Sequence, residues 1–190
     1  MRIALKEWAV VIDALAHGSQ TFLLRKGGIA EGRDGFDLRH REWVFYPTWE
    51  HQQAGLIRPE FRADFEGSRP PSANVVPLGY MGRVWAIWPA PEAPEALAAL
   101  EDSHIWNENL VRMRHEYRPD LPLYMVVVRA FRLRRPVELR YDPRYAGCRS
   151  WVELNAEIDV AGAEPVLTDE EFERAAREIQ GRAGAGIRYW

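Results

Sequence analysis

Trp8-Ala-Val-Val-Ile-Asp-Ala-Leu-Ala-His-Gly-Ser-Gln-Thr-Phe-Leu-Leu-Arg-Lys-Gly-Gly28 is the stretch whose reading decides the fold. Leu5, Trp8, Ala9, Ile12 and Leu15 follow the i, i+3, i+4, i+7 pattern and predict a helix over residues 4–16. Gly18 suits the C′ position that ends it. Residues 20–25 are short and β-rich, so a strand follows at once, and Gly27-Gly28 with Glu31-Gly-Arg-Asp-Gly35 make a polar loop. The strand ends on Arg25-Lys26-Gly27-Gly28, which sets two cations and free backbone amides at its mouth. Such a turn suits an anion or a base.

Outward from this unit the pattern alternates strands with short helices. Residues 36–46 hold a second strand ending at Pro47, and Thr48 is the expected N-cap of a short helix over residues 49–57. Phe61 and Phe65, four apart, predict a further helical turn before the breaker Arg69-Pro-Pro-Ser72. Residues 74–88 read as a strand pair with Gly79 and Gly82 between its members. A stiff Pro89, Pro91, Pro94 link leads to helices over residues 95–100 and 103–117. Residues 123–133 give the longest strand signal, apolar on consecutive positions and so expected to be covered on both faces. Residues 137–141 and 149–154 read as the last two strands. Thr168-Asp-Glu-Glu171 is a capping box ahead of Phe172, Ala176 and Ile179, which predicts a C-terminal helix. The domain organisation expected is a barrel domain over residues 1–154 and a linker with an appended helix over residues 155–190.

The chain has 190 residues, 47% of them hydrophobic and 12% aromatic, enough for a packed core. No run approaches the roughly 18 apolar residues of a membrane span. Glu7 and Asp13 interrupt the first apolar stretch and no small-residue cleavage site follows, so a secretory signal is not expected. Cys148 is the single cysteine, and the chain reads as cytoplasmic. The net charge of -3 argues against coating nucleic acid by charge alone. The charge is uneven, however: residues 1–150 hold 21 basic and 19 acidic side chains, whereas residues 151–190 hold 4 and 9. Of 25 cations only Lys6 and Lys26 are lysines, and arginine is the residue whose planar fork grips phosphate.

Ala4-Leu-Lys-Glu-Trp-Ala-Val10, Leu24-Arg-Lys-Gly-Gly-Ile29, Phe45-Tyr-Pro-Thr-Trp-Glu-His-Gln52 and Cys148-Arg-Ser-Trp-Val-Glu-Leu154 together resemble an uncharacterised bacterial family, domain of unknown function 1802. That family carries no assigned activity. Gly18-Ser19-Gln20-Thr21 with Arg25, and the later Arg135-Pro136-Val137, also resemble PUA-like barrels, the ASCH domains in particular. This second resemblance implies an α+β fold: a small mixed β-barrel flanked by helices, with a cleft beside the first helix that accepts a nucleotide or base. Some members of that class remove an acyl group from a modified cytidine with a Lys, a Thr and a Glu. Here Gln20 stands at the lysine position while Thr21 fits, so that hydrolysis would need another base.

The candidate ligand-binding residues are Arg25, Lys26, Gly27, Gly28, Thr48, His51, Gln52, Arg149 and Trp151. Arginines would fix phosphate, His51 and Gln52 would read a base edge, and a tryptophan would stack on it. His51, Glu42 and Thr21 are the candidates for catalysis. His17, His40, His51, His104 and His115 lack metal-site spacing, so neither a metal nor another cofactor is expected. The function expected is a module that binds nucleic acid, RNA first, or a nucleotide. The alternatives are a hydrolase acting on a modified nucleoside or an RNA phosphodiester, and a protein-interaction module working through the acidic C-terminal helix. No membrane partner is expected.

Overall fold

The structure, a computed structural model, describes residues 1–26, 39–68, 72, 74–98, 100–147 and 149–183. Its centre is one seven-stranded sheet. The strands are β1 (Ile3–Trp8), β2 (Phe22–Lys26), β3 (Glu42–Thr48), β4 (Val75–Pro89), β5 (Leu123–Arg140), β6 (Trp151–Glu153) and β7 (Glu164–Pro165). They lie in the order β2-β5-β4-β3-β1-β6, with β7 added on β5. Among the described residues only β1 and β3 run parallel, in the register Ala4↔Val44 to Trp8↔Thr48. The helices are α1 (Ala9–Ala16), α2 (Arg62–Gly67), α3 (Pro94–Ala98), α4 (Glu108–Glu116) and α5 (Asp169–Ala183).

The expected α+β class is therefore met. The barrel is not closed by hydrogen bonds: among the described residues the pairing runs from β2 at one edge to β6 at the other.

The expected helix over residues 4–16 is corrected in its first half. Residues 3–8 are strand β1, paired with β3 on one side and β6 on the other. Ala4 enters one core and Leu5 the other, the alternation of a strand buried on both faces. Two ladders of backbone hydrogen bonds outweigh the helical spacing of Leu5, Trp8 and Ile12, which reflects only where α1 later begins. The stop at Gly18 is a Schellman motif: the Ser19 N–H donates to the Ala14 carbonyl and the Gly18 N–H to the Leu15 carbonyl, with Gly18 at φ +73°.

Three further expectations change, the first being that the separate strands expected over residues 123–133 and 137–141 are one strand, β5. Residues 49–57 form turns and a 3-10 turn at Ala54–Leu56 in place of a helix. Residues 75–88 belong to one bent strand, β4, and not to a hairpin. β4 pairs along β5 from Val75↔Arg140 to Pro89↔Tyr124, with bulges at Leu78/Tyr80 and Val84/Ala86. Bulges kink and twist a strand, and here they let one pair of strands serve two cores. The larger core holds Phe22, Trp43, Phe45, Trp88 and Met125 to Val128 with α1 and α5. The smaller gathers Val44, Tyr46, Leu78, Leu133, Tyr145 and Leu154.

The Thr168 capping box forms as expected, with the Thr168 hydroxyl donating to Glu171 at 2.8 Å and the Glu171 N–H donating back at 3.2 Å. Beyond it Phe172, Ala176 and Ile179 of α5 are buried in the larger core, so only the charged face of this helix is left for a partner.

Gly82 sits under this packing. A Cβ there would lie 2.9 Å from Phe45 Cζ and 2.9 Å from Val128 Cγ1. Both neighbours are buried and have nowhere to go. Gly82→Ala is expected to lower stability by about 1–3 kcal/mol, read from a urea midpoint. His104, 1% exposed, is a second sensor of the core. Its Nδ1 accepts from the Trp106 N–H at 3.2 Å, so Nε2 carries the proton and faces the Leu97 carbonyl at 3.3 Å. Burial pulls its pKa down to about 4, with the Leu97 bond opposing and the Arg58 charge assisting. Between pH 6.5 and about 4 the unfolded chain binds a proton here that the folded chain refuses. Stability is expected to fall through that window by on the order of 3 kcal/mol. His104→Gln should flatten the slope of urea midpoint against pH, and an unchanged slope would refute the assignment.

Candidate functional site

The parallel pair β1 and β3 ends at Trp8↔Thr48. Outside the carboxyl ends of parallel strands a crevice opens. Three other segments arrive at the same place: the end of β2, the C-terminal turn of α4, and Gly147, Arg149 and Ser150 ahead of β6. They enclose a cleft of about 300 Å³. Among the described residues its lining holds six cations, Lys6, Arg25, Lys26, Arg114, Arg118 and Arg149, against two carboxylates, Glu7 and Glu50.

Glu7 organises the floor. One oxygen accepts from Arg25 Nη2 at 2.6 Å and the other from the Trp8 N–H at 2.8 Å, at the start of α1. The pair is nearly sealed, with Glu7 8% and Arg25 11% exposed at the side chain. Arg25 Nη2 also faces the Lys6 carbonyl at 3.3 Å. β1 and β2 are four places apart in the strand order. Their side chains meet only because the sheet curls, so the ion pair bridges a gap that the hydrogen-bond ladder leaves open. Arg114 lies beside them. Burial lowers its pKa from the usual guanidinium value, the Glu7 charge opposes that shift and the Arg25 charge adds to it. The Nε atoms of Arg25 and Arg114 are both buried without a hydrogen-bond partner among the described residues.

The lysines are held differently. Lys6 Nζ donates to the Tyr145 and Gly147 carbonyls, both at 2.9 Å, and reaches Glu50 at 3.9 Å. Lys26 Nζ donates to the His115 carbonyl. Burial lowers the Lys26 pKa, with Asp120 opposing. Carbonyl acceptors orient an ammonium without cancelling its charge. The cleft is therefore positive by construction.

Backbone strain gathers at the same place. Among the described residues two that are not glycine take positive φ, His51 at 60° and Arg118 at 47°, and both line the cleft. This conformation costs roughly 1–2 kcal/mol per residue, and such outliers persist where the surroundings enforce them, often at functional sites.

Five of the residues singled out in the sequence share this lining: Arg25, Lys26, Thr48, His51 and Arg149. Gln52 lies elsewhere. Its Oε1 accepts from the Val10 N–H at 3.1 Å and its Nε2 donates to Ser68 Oγ at 3.0 Å, so it caps α1 from the neighbouring loop. Trp151 packs edge-on against Trp43 at 5.3 Å and His40 at 5.1 Å, beside a separate hollow. Glu42 pairs with Arg83 at 2.5 Å on an exposed part of the sheet. Thr21 is buried, its carbonyl accepting from the Val128 N–H. Gln20 is buried too, with Nε2 donating to the Phe22 carbonyl at 2.8 Å and Oε1 accepting from the Ile105 N–H at 3.2 Å. Gly27, Gly28 and Cys148 lie outside the described residues.

Lys6, Glu7, Glu50, Arg114, Tyr117 and Arg118 also line the cleft, beside Trp8, Gly147 and Ser150, and escaped the sequence reading. One signal was available: the chain's two lysines, Lys6 and Lys26, both line this cleft. Among the described residues no group of three or more His, Cys, Asp or Glu is placed to hold a metal ion, and no helix is long and apolar enough to cross a membrane.

Glu7→Gln leaves two guanidiniums buried beside a neutral amide. It is expected to cost about 3 kcal/mol in urea unfolding. Glu50→Gln, at a side chain 54% exposed, should stay within about 0.5 kcal/mol. Equal costs would show that Glu7 does not organise the floor.

Comparison with solved structures finds ASCH proteins, the class that residues 18–25 resemble. The crystal structure of ASCH from Zymomonas mobilis has a TM-score of 0.44 at 14% identity, over 92% of this chain and 93% of that one. Two point mutants of the same protein give 0.43 at 14% identity, over 93% and 94% of the two chains, and 0.44 at 11%, over 92% and 96%. No curated protein matches the chain. The family model for a domain of unknown function, DUF1802, matches residues 4–178, and the chain belongs to that family.

Proposed function

We propose that this protein is a binding module that holds a phosphate-bearing ligand, a nucleic acid strand or a nucleotide, in the cationic cleft of a PUA-like fold. The observation that carries the reading is the surplus of fixed positive charge around one buried carboxylate, Glu7. Two of the cations are guanidiniums whose buried Nε atoms find no acceptor among the described residues. Two more are ammoniums held by carbonyls. Arginine forks match phosphate oxygens in geometry and charge. The net charge of -3 spreads repulsion over the rest of the surface, so a polyanion is drawn to this cleft and not to the protein at large.

A second reading is favoured by one observation, the left-handed backbone of His51 at the rim. In that reading the protein is a hydrolase of a modified nucleoside or an RNA phosphodiester, and His51 is the general base.

Both are tested with a labelled single-stranded RNA and the full chain. Arg118 and Arg149 are exposed, so their loss should leave the fold intact. Arg118→Ala and Arg149→Ala are each expected to weaken binding about fivefold to tenfold and to reduce the salt slope by about one ion. Affinity indifferent to salt and to both changes would refute the binding reading. Turnover that His51→Ala abolishes while binding persists would establish the hydrolase.

A further inference from the structure

A second hollow of about 180 Å³ opens beside the cleft, and Lys6, Thr48 and Glu50 line both. Its walls are of another kind: Tyr46, Trp49, Tyr141, Tyr145 and Val76. The volume is below the roughly 300 Å³ at which pockets for drug-sized ligands begin, so it suits a single ring system. Tyr46 carries the key observation. The residue is 4% exposed, yet its hydroxyl is buried without a hydrogen-bond partner among the described residues. Buried hydroxyls normally find one. Burial, followed by Tyr141, Tyr145, Glu50 and Asp142, pushes its pKa up to about 12. Tyr46 itself and three of those four groups line the hollow. Tyr145, its neighbour, is differently placed: its hydroxyl accepts from the Asn155 N–H at 2.6 Å and its ring meets Tyr46 edge-on at 5.8 Å.

We propose that this aromatic slot receives the unpaired base of the nucleotide whose phosphate sits in the adjoining cationic cleft, with the Tyr46 hydroxyl bonding to the base edge. The inference rests on the phosphate-binding reading of the cleft and narrows it to a ligand class. A flat heteroaromatic ring with donors and acceptors on its edge fits aromatic walls and one unsatisfied hydroxyl. A base held within a duplex has its edge engaged and its faces stacked, so the ligand is single-stranded or a free nucleotide. Lys6 stands at the junction, fixed on the Tyr145 and Gly147 carbonyls, where the sugar-phosphate link would pass between the two hollows.

The experiment compares three probes on the full chain: a short single-stranded RNA, an abasic strand of equal length and charge, and a nucleoside monophosphate. The intact strand is expected to bind roughly tenfold more tightly than the abasic one. Tyr141→Ala, at a wall 41% exposed, should remove that difference and leave abasic binding unchanged. A monophosphate that binds as tightly as the strand would identify a free nucleotide as the source of the base, with the slot retained. Equal binding of intact and abasic strands overturns the slot alone. No binding of any probe overturns the cleft reading and the slot with it. Tyr46→Phe gives a ligand-free check: removing an unpartnered buried hydroxyl should raise the melting temperature while reducing discrimination among bases. A lower melting temperature would mean that the hydroxyl is already satisfied, and would overturn its role.

Discussion

The Glu7–Arg25 ion pair is the constraint on which the rest of the molecule depends. It joins β1 and β2, strands that are four places apart in one sheet. A flat sheet keeps such strands far apart at roughly 4.8 Å per step. The pair closes across the curl of the sheet, to which the two bulges between β4 and β5 add twist. In exchange it fixes the curl where the hydrogen-bond ladder stops. The same carboxylate accepts from the Trp8 N–H just ahead of α1 and lies beside Arg114, so sheet, helix and α4 are all referred to one buried charge. A buried ion pair is seldom a large net stabiliser, but losing one partner is costly. That asymmetry suits a residue whose task is to hold a geometry.

The way each cation is held explains how a protein of net charge -3 keeps a strongly positive cleft. Exposed arginines elsewhere are neutralised by carboxylates, as in Arg83–Glu42, Arg144–Asp142 and Arg177–Glu173. Inside the cleft the ammonium of Lys6 rests on carbonyl oxygens and that of Lys26 on one more. Dipoles orient these groups, and the carboxylate nearest Lys6, Glu50 at 3.9 Å, is itself half exposed. The cost of that arrangement is visible in the lowered pKa of Lys26, which burial causes.

Much of the fold was legible wherever the signal was local. The Gly18 stop, the Thr168 capping box and the doubly buried run at residues 125–128 depend on near neighbours in sequence, and each formed as expected. The opening strand was not legible. Leu5, Trp8 and Ile12 have helical spacing, and only the distant β3 and β6 make a strand of residues 3–8. That one misreading hid Lys6 and Glu7, which a helix would have set on a solvated face. Arg114 was hidden for a different reason: its meaning depends on where the end of α4 lands, which tertiary packing decides. The bend of β4 looked like a hairpin because Gly79 and Gly82 are turn residues in most sequences. Here Gly82 is small because Phe45 and Val128 press on it.

The Gln52 bond to the Val10 N–H carries a mechanical consequence. The rim loop that presents His51 is stitched by its next residue to the opening turn of α1, and by the same amide to Ser68. Swinging that rim aside would orphan a backbone donor at the head of a buried helix. Thr48 to Ala54 thus behaves as a splint and not as a hinge: the mouth of the cleft is rigid before anything enters it, and a visitor must fit the aperture it finds.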